Sequence, residues 1–301
     1  MEHEEEQVYD MVKRHLLKSR GFDISGYSKS FIGRAVRKRV GRSQCRSALE
    51  YVALLRRDDD EVNELISALS VNVTDFFRDS GAFETLTDLV IGPLVQQKIE
   101  LGWSALRVWS AGCATGQETY TIAMCVAEQL RKDREGKNLV VRVNGTDLSR
   151  SALATASRGV YTEQQVRGVP KHIFTTYFEK TDEGYEVSPE LKRMVRFTHG
   201  NLLDRPSLKF FDLIVCRNVV IYFSRPMHDK LVRNFYTALR PGGYLMLGRT
   251  ETLMGDPRSL FDVVDHENRI FRRLDDGGIL SQLSAGTDRG AVSDRASRRS
   301  S

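Results

Sequence analysis

Hydrophobic positions recur at helical spacing through the first seventy residues, and then the rhythm changes. Val8, Met11, Val12 and Leu16 share one face of a predicted helix that Gly21 ends. A second predicted helix runs from about Ser28 to Gly41. Phe31, Ile32, Ala35 and Val36 form its apolar face, and Arg34, Arg37 and Lys38 form a basic one. Ser43 is placed to cap a third helix carrying Leu49, Val52 and Leu55, and a fourth carries Val62, Leu65, Ile66 and Leu69. Short helices with no strand between them predict a small bundle over residues 1–70.

After Val71 apolar runs of strand length alternate with helical patterns. Leu106–Ser110 reads as a strand entering a glycine-containing turn, Ala111–Gly116, with a helix from Glu118 to about Lys132. A second strand, Leu139–Gly145, leads to Asp147, and a helix follows from about Ser149 to Ser157. Further strands are predicted at Val195–Thr198, Phe211–Cys216, Tyr244–Gly248 and Asn268–Leu274. A helix carrying Leu231, Val232, Phe235 and Leu239 and a Pro241-Gly242-Gly243 turn precede the third of these. The alternation predicts a largely parallel, doubly wound α/β sheet over 71–275, covered on both faces. Residues 161–195 break the pattern with short β-like pieces around Asp182-Glu183-Gly184, which predicts an inserted antiparallel subdomain. The last stretch, 276–301, is rich in Gly, Ser, Asp and Arg and is expected to be a disordered tail.

Composition narrows the function classes. At 301 residues with 41% hydrophobic content, the chain can bury a sizeable core. No apolar run reaches bilayer-spanning length and the N-terminus is acidic, so the expectation is a soluble cytoplasmic protein without membrane insertion. The 4 cysteines are scattered and the 6 histidines make no HxxxH spacing, which argues against a disulfide framework and against a metal site. The net charge of +5 permits an acidic partner without naming one.

Four segments carry candidate chemistry. In the 106–132 strand-turn-helix, Gly112 and Gly116 let backbone approach a ligand, yet the turn has neither dinucleotide GxGxxG spacing nor the Lys-Ser/Thr of a phosphate loop. That favours a nucleoside without a triphosphate; the plain alternative is an ordinary tight turn. Asp147, at a strand end, is placed to bind ribose hydroxyls or to cap the next helix. Asn72-Val73-Thr74-Asp75-Phe76-Phe77-Arg78 offers a carboxylate-pairing arginine, or else a linker with core aromatics. Arg217 and Asn218 follow the apolar strand ending at Cys216, and Tyr222 lies four residues beyond Asn218, on the same face if that turn is helical.

Taken together, NVTDFFR at 72–78, WSAGCATGQETYTIAM at 109–124, GTDLSRSALATASRGVY at 145–161, NLL at 201–203, FDLIVCRNVVIYF at 211–223 and LRPGGYLMLGRTE at 239–251 resemble the chemotaxis receptor glutamate O-methyltransferases of the CheR type. The likeness runs in order from about residue 10 to 274. It implies a Rossmann-like S-adenosylmethionine (SAM)-dependent catalytic domain behind an all-helical domain. It also implies cofactor contacts at Asn72, Thr74, Arg78, Gly112, Glu118, Asp147, Asn201, Leu202, Arg217 and Asn218, with Arg78 and Tyr222 facing the substrate. S-adenosylhomocysteine (SAH) would be the product, and the cytoplasmic helical domain of chemoreceptors the partner, met by Arg34, Arg37 and Lys38. The chain departs from the family pattern at Gln117 and Thr119, where Glu and Pro are common, and at Arg249. Its short Asp182–Gly184 loop implies independence from a C-terminal receptor pentapeptide. Two other readings remain at this point: a methyltransferase for another protein or for nucleic acid, and a non-catalytic SAM-binding signalling module. The absence of an aromatic-basic strip argues against nucleic acid.

Overall fold

The computed structural model describes residues 2–20, 22–69, 74–132 and 139–275. The N-terminal part comprises α1 (Glu2–Arg20), α2 (Lys29–Val40), α3 (Ala48–Leu55) and α4 (Asp59–Leu69). Ser28 caps α2 by accepting from Phe31 N at 3.3 Å. The third helix begins later than its pattern suggests, because Ser47 rather than Ser43 accepts from Glu50 N, at 3.1 Å. Val12, Leu16, Ile32, Val52, Val62 and Leu65 meet in one apolar core, whereas Leu49 turns out to solvent. That core also holds an ion pair. Arg39 gives Glu61 two hydrogen bonds at 2.7 and 2.8 Å, and Tyr51 donates to the same carboxylate at 2.7 Å. With its polar atoms satisfied, the pair ties α2 to α3 and α4; removing one partner would strand a buried charge at a cost of about 3–5 kcal/mol. Arg34, Arg37 and Lys38 lie on the opposite, exposed side of α2.

The chain then forms α5 (Ser80–Leu86), a π-helical stretch (Thr87–Ile91) and α6 (Gly92–Glu100), for which the sequence pattern gave no clear signal. The α/β alternation follows: β1 (Ala105–Ala111), α7 (Gln117–Lys132), β2 (Val140–Asp147) and α8 (Arg150–Arg158). Next come β3 (Val160–Tyr161), α9 (Glu163–Val166), α10 (Lys171–Tyr177), β4 (Phe178–Thr181), β5 (Gly184–Val187) and α11 (Pro189–Met194). The last elements are β6 (Val195–His199), β7 (Phe211–Cys216), α12 (Arg225–Ala238), β8 (Leu239–Leu247), β9 (Phe261–Asp265) and β10 (Ile270–Arg273).

Seven strands form the main sheet in the order β6-β2-β1-β7-β8-β10-β9. The five from β6 to β8 are parallel and the last two pair antiparallel. All six residues of β7 are buried, as an apolar run covered on both faces should be. Pro241-Gly242-Gly243 is no separate turn. It lies within β8, where the register against β7 shifts between Phe211 and Leu213 and Gly242 takes φ +70°. β9 was not predicted; its sequence, FDVVD, is half exposed and lacks a long apolar run.

The inserted region forms a three-stranded antiparallel sheet, β3-β5-β4, with Asp182 and Glu183 at its hairpin tip. Phe76, 2% exposed, packs edge-on against Tyr161 at 4.8 Å and Phe178 at 5.2 Å, which anchors the junction segment to this subdomain. Truncating such a ring to alanine costs about 3–5 kcal/mol. The expected disordered tail lies outside the described residues.

Candidate active site

The connectivity reverses at one point in the sheet. From β1 the chain moves outward through β2 to β6, then returns to the other side of β1 to lay down β7. Such a switch opens a crevice beyond the carboxyl ends of the two central strands. Gly112 follows β1, Asp147 ends β2, and Arg217 and Asn218 follow β7, so the topology alone brings these separate segments together.

Two adjoining cavities open into the crevice; the space within them, together with the open solvent at their mouths, is about 540 and 420 Å³. Both are lined by Gly112, Asn218 and Val219. The first also takes in Asp147, Asn201, Leu202 and Tyr222; the second takes in Thr74, Arg78, Glu118 and Arg217. Every predicted site residue among the described ones therefore borders one continuous site, and Asn72 lies outside the described residues. A wider groove along α6, bordered by Pro93, Gln96 and Lys132, carries none of them.

Glycine is required where the two cavities meet. Gly112 has φ +81°, and a Cβ there would stand 2.5 Å from Val219 Cγ2. Asp147 ties this turn to the one that follows β2. Its Oδ2 accepts from Ala114 N and its Oδ1 from Ser149 N, each at 2.8 Å. Ser149 in turn caps α8 by accepting from Ala152 N at 3.2 Å. Asp147 thus serves local structure, yet its carboxylate has about four acceptor sites and still lines the cavity. Burial pushes its pKa up, opposed by the backbone donors of Ser149, Ala114 and Leu148.

The second cavity is richly charged. Arg217, 6% exposed, donates to Arg78 O at 3.0 Å, pairs with Asp79 Oδ2, and stacks over Phe83 at 5.1 Å. Its buried Nε finds no partner within the protein, an unmet donor beside the cavity. Glu118 accepts from Ser110 at 2.9 Å; burial raises its pKa, against the pull of Arg217, the Ser110 hydrogen bond and Arg78.

Asn218 and Tyr222 do not share a helical turn as their spacing suggested. Asn218 adopts φ +59°, and the turn that follows, Val220–Tyr222, is 3-10. The cause is Glu251, a residue the sequence reading quoted but gave no role. Its buried carboxylate accepts from Asn218 N (3.0 Å), Val220 N (2.7 Å), Ile221 N (3.3 Å) and Gly248 N (2.7 Å). An acid just past the apolar strand Tyr244–Gly248 is the same signal that singled out Asp147. Tyr27 and Leu69 were also missed as lining residues; they come from the helical part and close the first cavity. Burial and the nearby Asp147 carboxylate raise the pKa of Tyr27.

The two cavities divide their chemistry. One offers a carboxylate between apolar walls (Leu69, Leu202, Val219), suited to an adenosyl group; the other offers two guanidinium groups and two carboxylates (Asp75 and Glu118), suited to a zwitterionic amino-acid head. This fold and this split donor set fit SAM.

The family comparison agrees. Residues 72–270 match the family model described as CheR methyltransferase, SAM binding domain, and residues 7–70 match CheR methyltransferase, all-alpha domain. The chain belongs to the CheR methyltransferase family. It is 37% identical over 212 residues to the chemotaxis protein methyltransferase of Borreliella burgdorferi, covering 69% of this chain and 74% of that one. It is 31% identical over 253 residues to chemotaxis protein methyltransferase 1 of Pseudomonas aeruginosa, covering 83% and 91%. An uncharacterized 104.1 kDa protein of Rhodobacter capsulatus is 34% identical over 251 residues; the match covers 83% of this chain but only 26% of that longer protein. Among the described residues no helix is long and apolar enough to cross a membrane, and no cluster of side chains could hold a metal ion.

Proposed function

We propose that the protein methylates glutamate side chains in the cytoplasmic helical domain of chemoreceptors, yielding glutamate methyl esters and SAH for sensory adaptation. The observation that carries this reading is the meeting of the adenosyl-type and amino-acid-type cavities at Gly112, Asn218 and Val219, with Arg78 and Tyr222 on their borders. Bound SAM would supply a methyl group on cationic sulfur, whose transfer to a carboxylate oxygen would leave the C–S bonding pair on sulfur and move no proton.

A glutamate side chain has a pKa of about 4.3 and is already ionised near neutral pH, so the reaction needs no general base. The protein's part is to position and to exclude water. Asp147 holds the ribose hydroxyls; Asn201 and Leu202 border the same half, and Thr74, Glu118 and Arg217 hold the amino-acid head. Arg78 anchors a carboxylate and Tyr222 orients the attacking oxygen. The short hairpin tip at Asp182–Glu183 suits an enzyme that works without a receptor pentapeptide tether.

The exposed basic side of α2 supports docking on an acidic receptor helix. Reversing one rim charge, Arg37→Glu, is expected to raise KM for a receptor fragment about fivefold at low ionic strength, with a smaller effect in high salt. Cofactor affinity should not change. Steady-state kinetics at two salt concentrations check this, and an unaltered KM would remove the docking role. The overall reading is tested by incubating the protein with methyl-labelled SAM and receptor cytoplasmic fragments. Label that leaves as methanol in mild base supports carboxyl methylation. Base-stable label points to another acceptor, and no label with the cofactor bound points to a binding module.

A further inference from the structure

The helix that carries the exposed basic side chains also touches the active site. Phe31, on the inner face of α2 and 6% exposed, stacks on the Tyr222 ring with centroids 4.7 Å apart and planes 29° from parallel. Among the described residues this is the one aromatic contact that Tyr222 makes. Behind Phe31 lies Tyr27, stacked at 5.9 Å and 16°. Tyr27 is itself fixed to the catalytic part. Its ring meets Phe223 edge-on at 5.2 Å, its backbone pairs with that of Phe223, and Ser224 N donates to Gly26 O at 2.6 Å. Glu251 sets the backbone ahead of Tyr222 through Val220 and Ile221, but nothing on that side stacks on the phenol ring. The ring direction is therefore set across the domain boundary.

We infer that Phe31 is a positioning residue for methyl transfer: it holds the Tyr222 ring at the reacting carboxylate, so the helical part contributes to turnover and not only to docking. The inference rests on the substrate-orienting role given to Tyr222 under the proposed function. The exposed Arg34, Arg37 and Lys38 stand three, six and seven residues further along the same helix, so a receptor bound there bears on the helix that sets Tyr222.

The test is a double-mutant cycle on the full chain, measuring kcat, receptor KM, SAH affinity by calorimetry and melting temperature. Phe31→Leu keeps apolar bulk but loses the flat ring. It is expected to lower kcat about tenfold, with receptor KM and SAH affinity within about twofold of the starting values. Phe31→Tyr, which keeps the ring, should restore kcat. In a Tyr222→Ala background, Phe31→Leu should have no further effect on kcat. An equal loss in both backgrounds would mean a general structural role and overturn the inference. So would full activity of Phe31→Leu while Tyr222→Ala is impaired. Full activity of Tyr222→Ala would instead overturn the reading of Tyr222, and the inference with it.

Discussion

Asp147→Asn is expected to weaken SAM and SAH binding about 100-fold, the loss of roughly 3 kcal/mol in charge-assisted hydrogen bonds. The neutral amide keeps the shape but loses the charge that strengthens bonds from two ribose hydroxyls. It also turns an NH₂ toward either Ala114 N or Ser149 N, both now satisfied by the carboxylate. A fall of a few degrees in melting temperature should accompany the affinity loss, and calorimetric titration separates the two effects. Acid should act in the same direction on affinity, though not on stability. Burial lifts the Asp147 pKa above the unfolded value, so the native state takes up this proton at a higher pH than the unfolded chain does. The buried charge thus costs stability at neutral pH and acid relieves that cost, while cofactor affinity declines as the carboxylate is protonated. The decline should begin above the ordinary carboxylate range. Unchanged affinity in Asp147→Asn would leave the residue with its structural bonds alone.

Glu251→Gln should have the largest effect on stability of any single change in the crevice. Oε1 accepts from Val220 and Ile221 and Oε2 from Asn218 and Gly248. Whichever way the amide is turned, its NH₂ faces two backbone donors. One buried N–H (Val220 or Gly248) and one part-buried N–H (Ile221 or Asn218) are orphaned, at about 2 and about 1 kcal/mol, so the melting temperature should drop by roughly 6–12 °C. The left-handed backbone of Asn218 depends on the same carboxylate, so kcat should fall at least about tenfold even where the protein remains folded. Thermal unfolding followed by kinetics well below the transition checks both. A melting temperature within two degrees of the native one would show that the four-donor arrangement is not what holds the turn.

The sequence disclosed most where one physical signal dominated. Phe211–Cys216 reads as a buried strand because six apolar-dominated residues sit between turn signals, and all six are buried. The place of Asp147 on the crevice was legible because it ends a strand beside a glycine-containing turn. The helices from Ser80 to Glu100 were not legible, since their path includes a π-helical stretch that breaks the 3.6-residue period. Glu251 carried the same strand-end signal as Asp147, but most of the backbone donors that give it its role come from Asn218, Val220 and Ile221, distant in sequence, and no side-chain pattern records them. Phe31 and Leu69 were legible as apolar-face residues of the bundle and Tyr27 was not singled out; the contact of this region with the crevice comes from how the helical part seats against Phe223 and Ser224. The spacing of Asn218 and Tyr222 misled for a related reason: Glu251 and the positive φ of Asn218 replace a helical turn with a tighter one.

The crystal structure of the protein with SAH tests the central claim most directly. The account predicts adenosyl density over the ends of β1, β2 and β7, ribose oxygens within hydrogen-bonding distance of Asp147, and the amino-acid head beside Arg78, Glu118 and Arg217. Density for the nucleoside anywhere else, or a head group turned away from those three side chains, would contradict it.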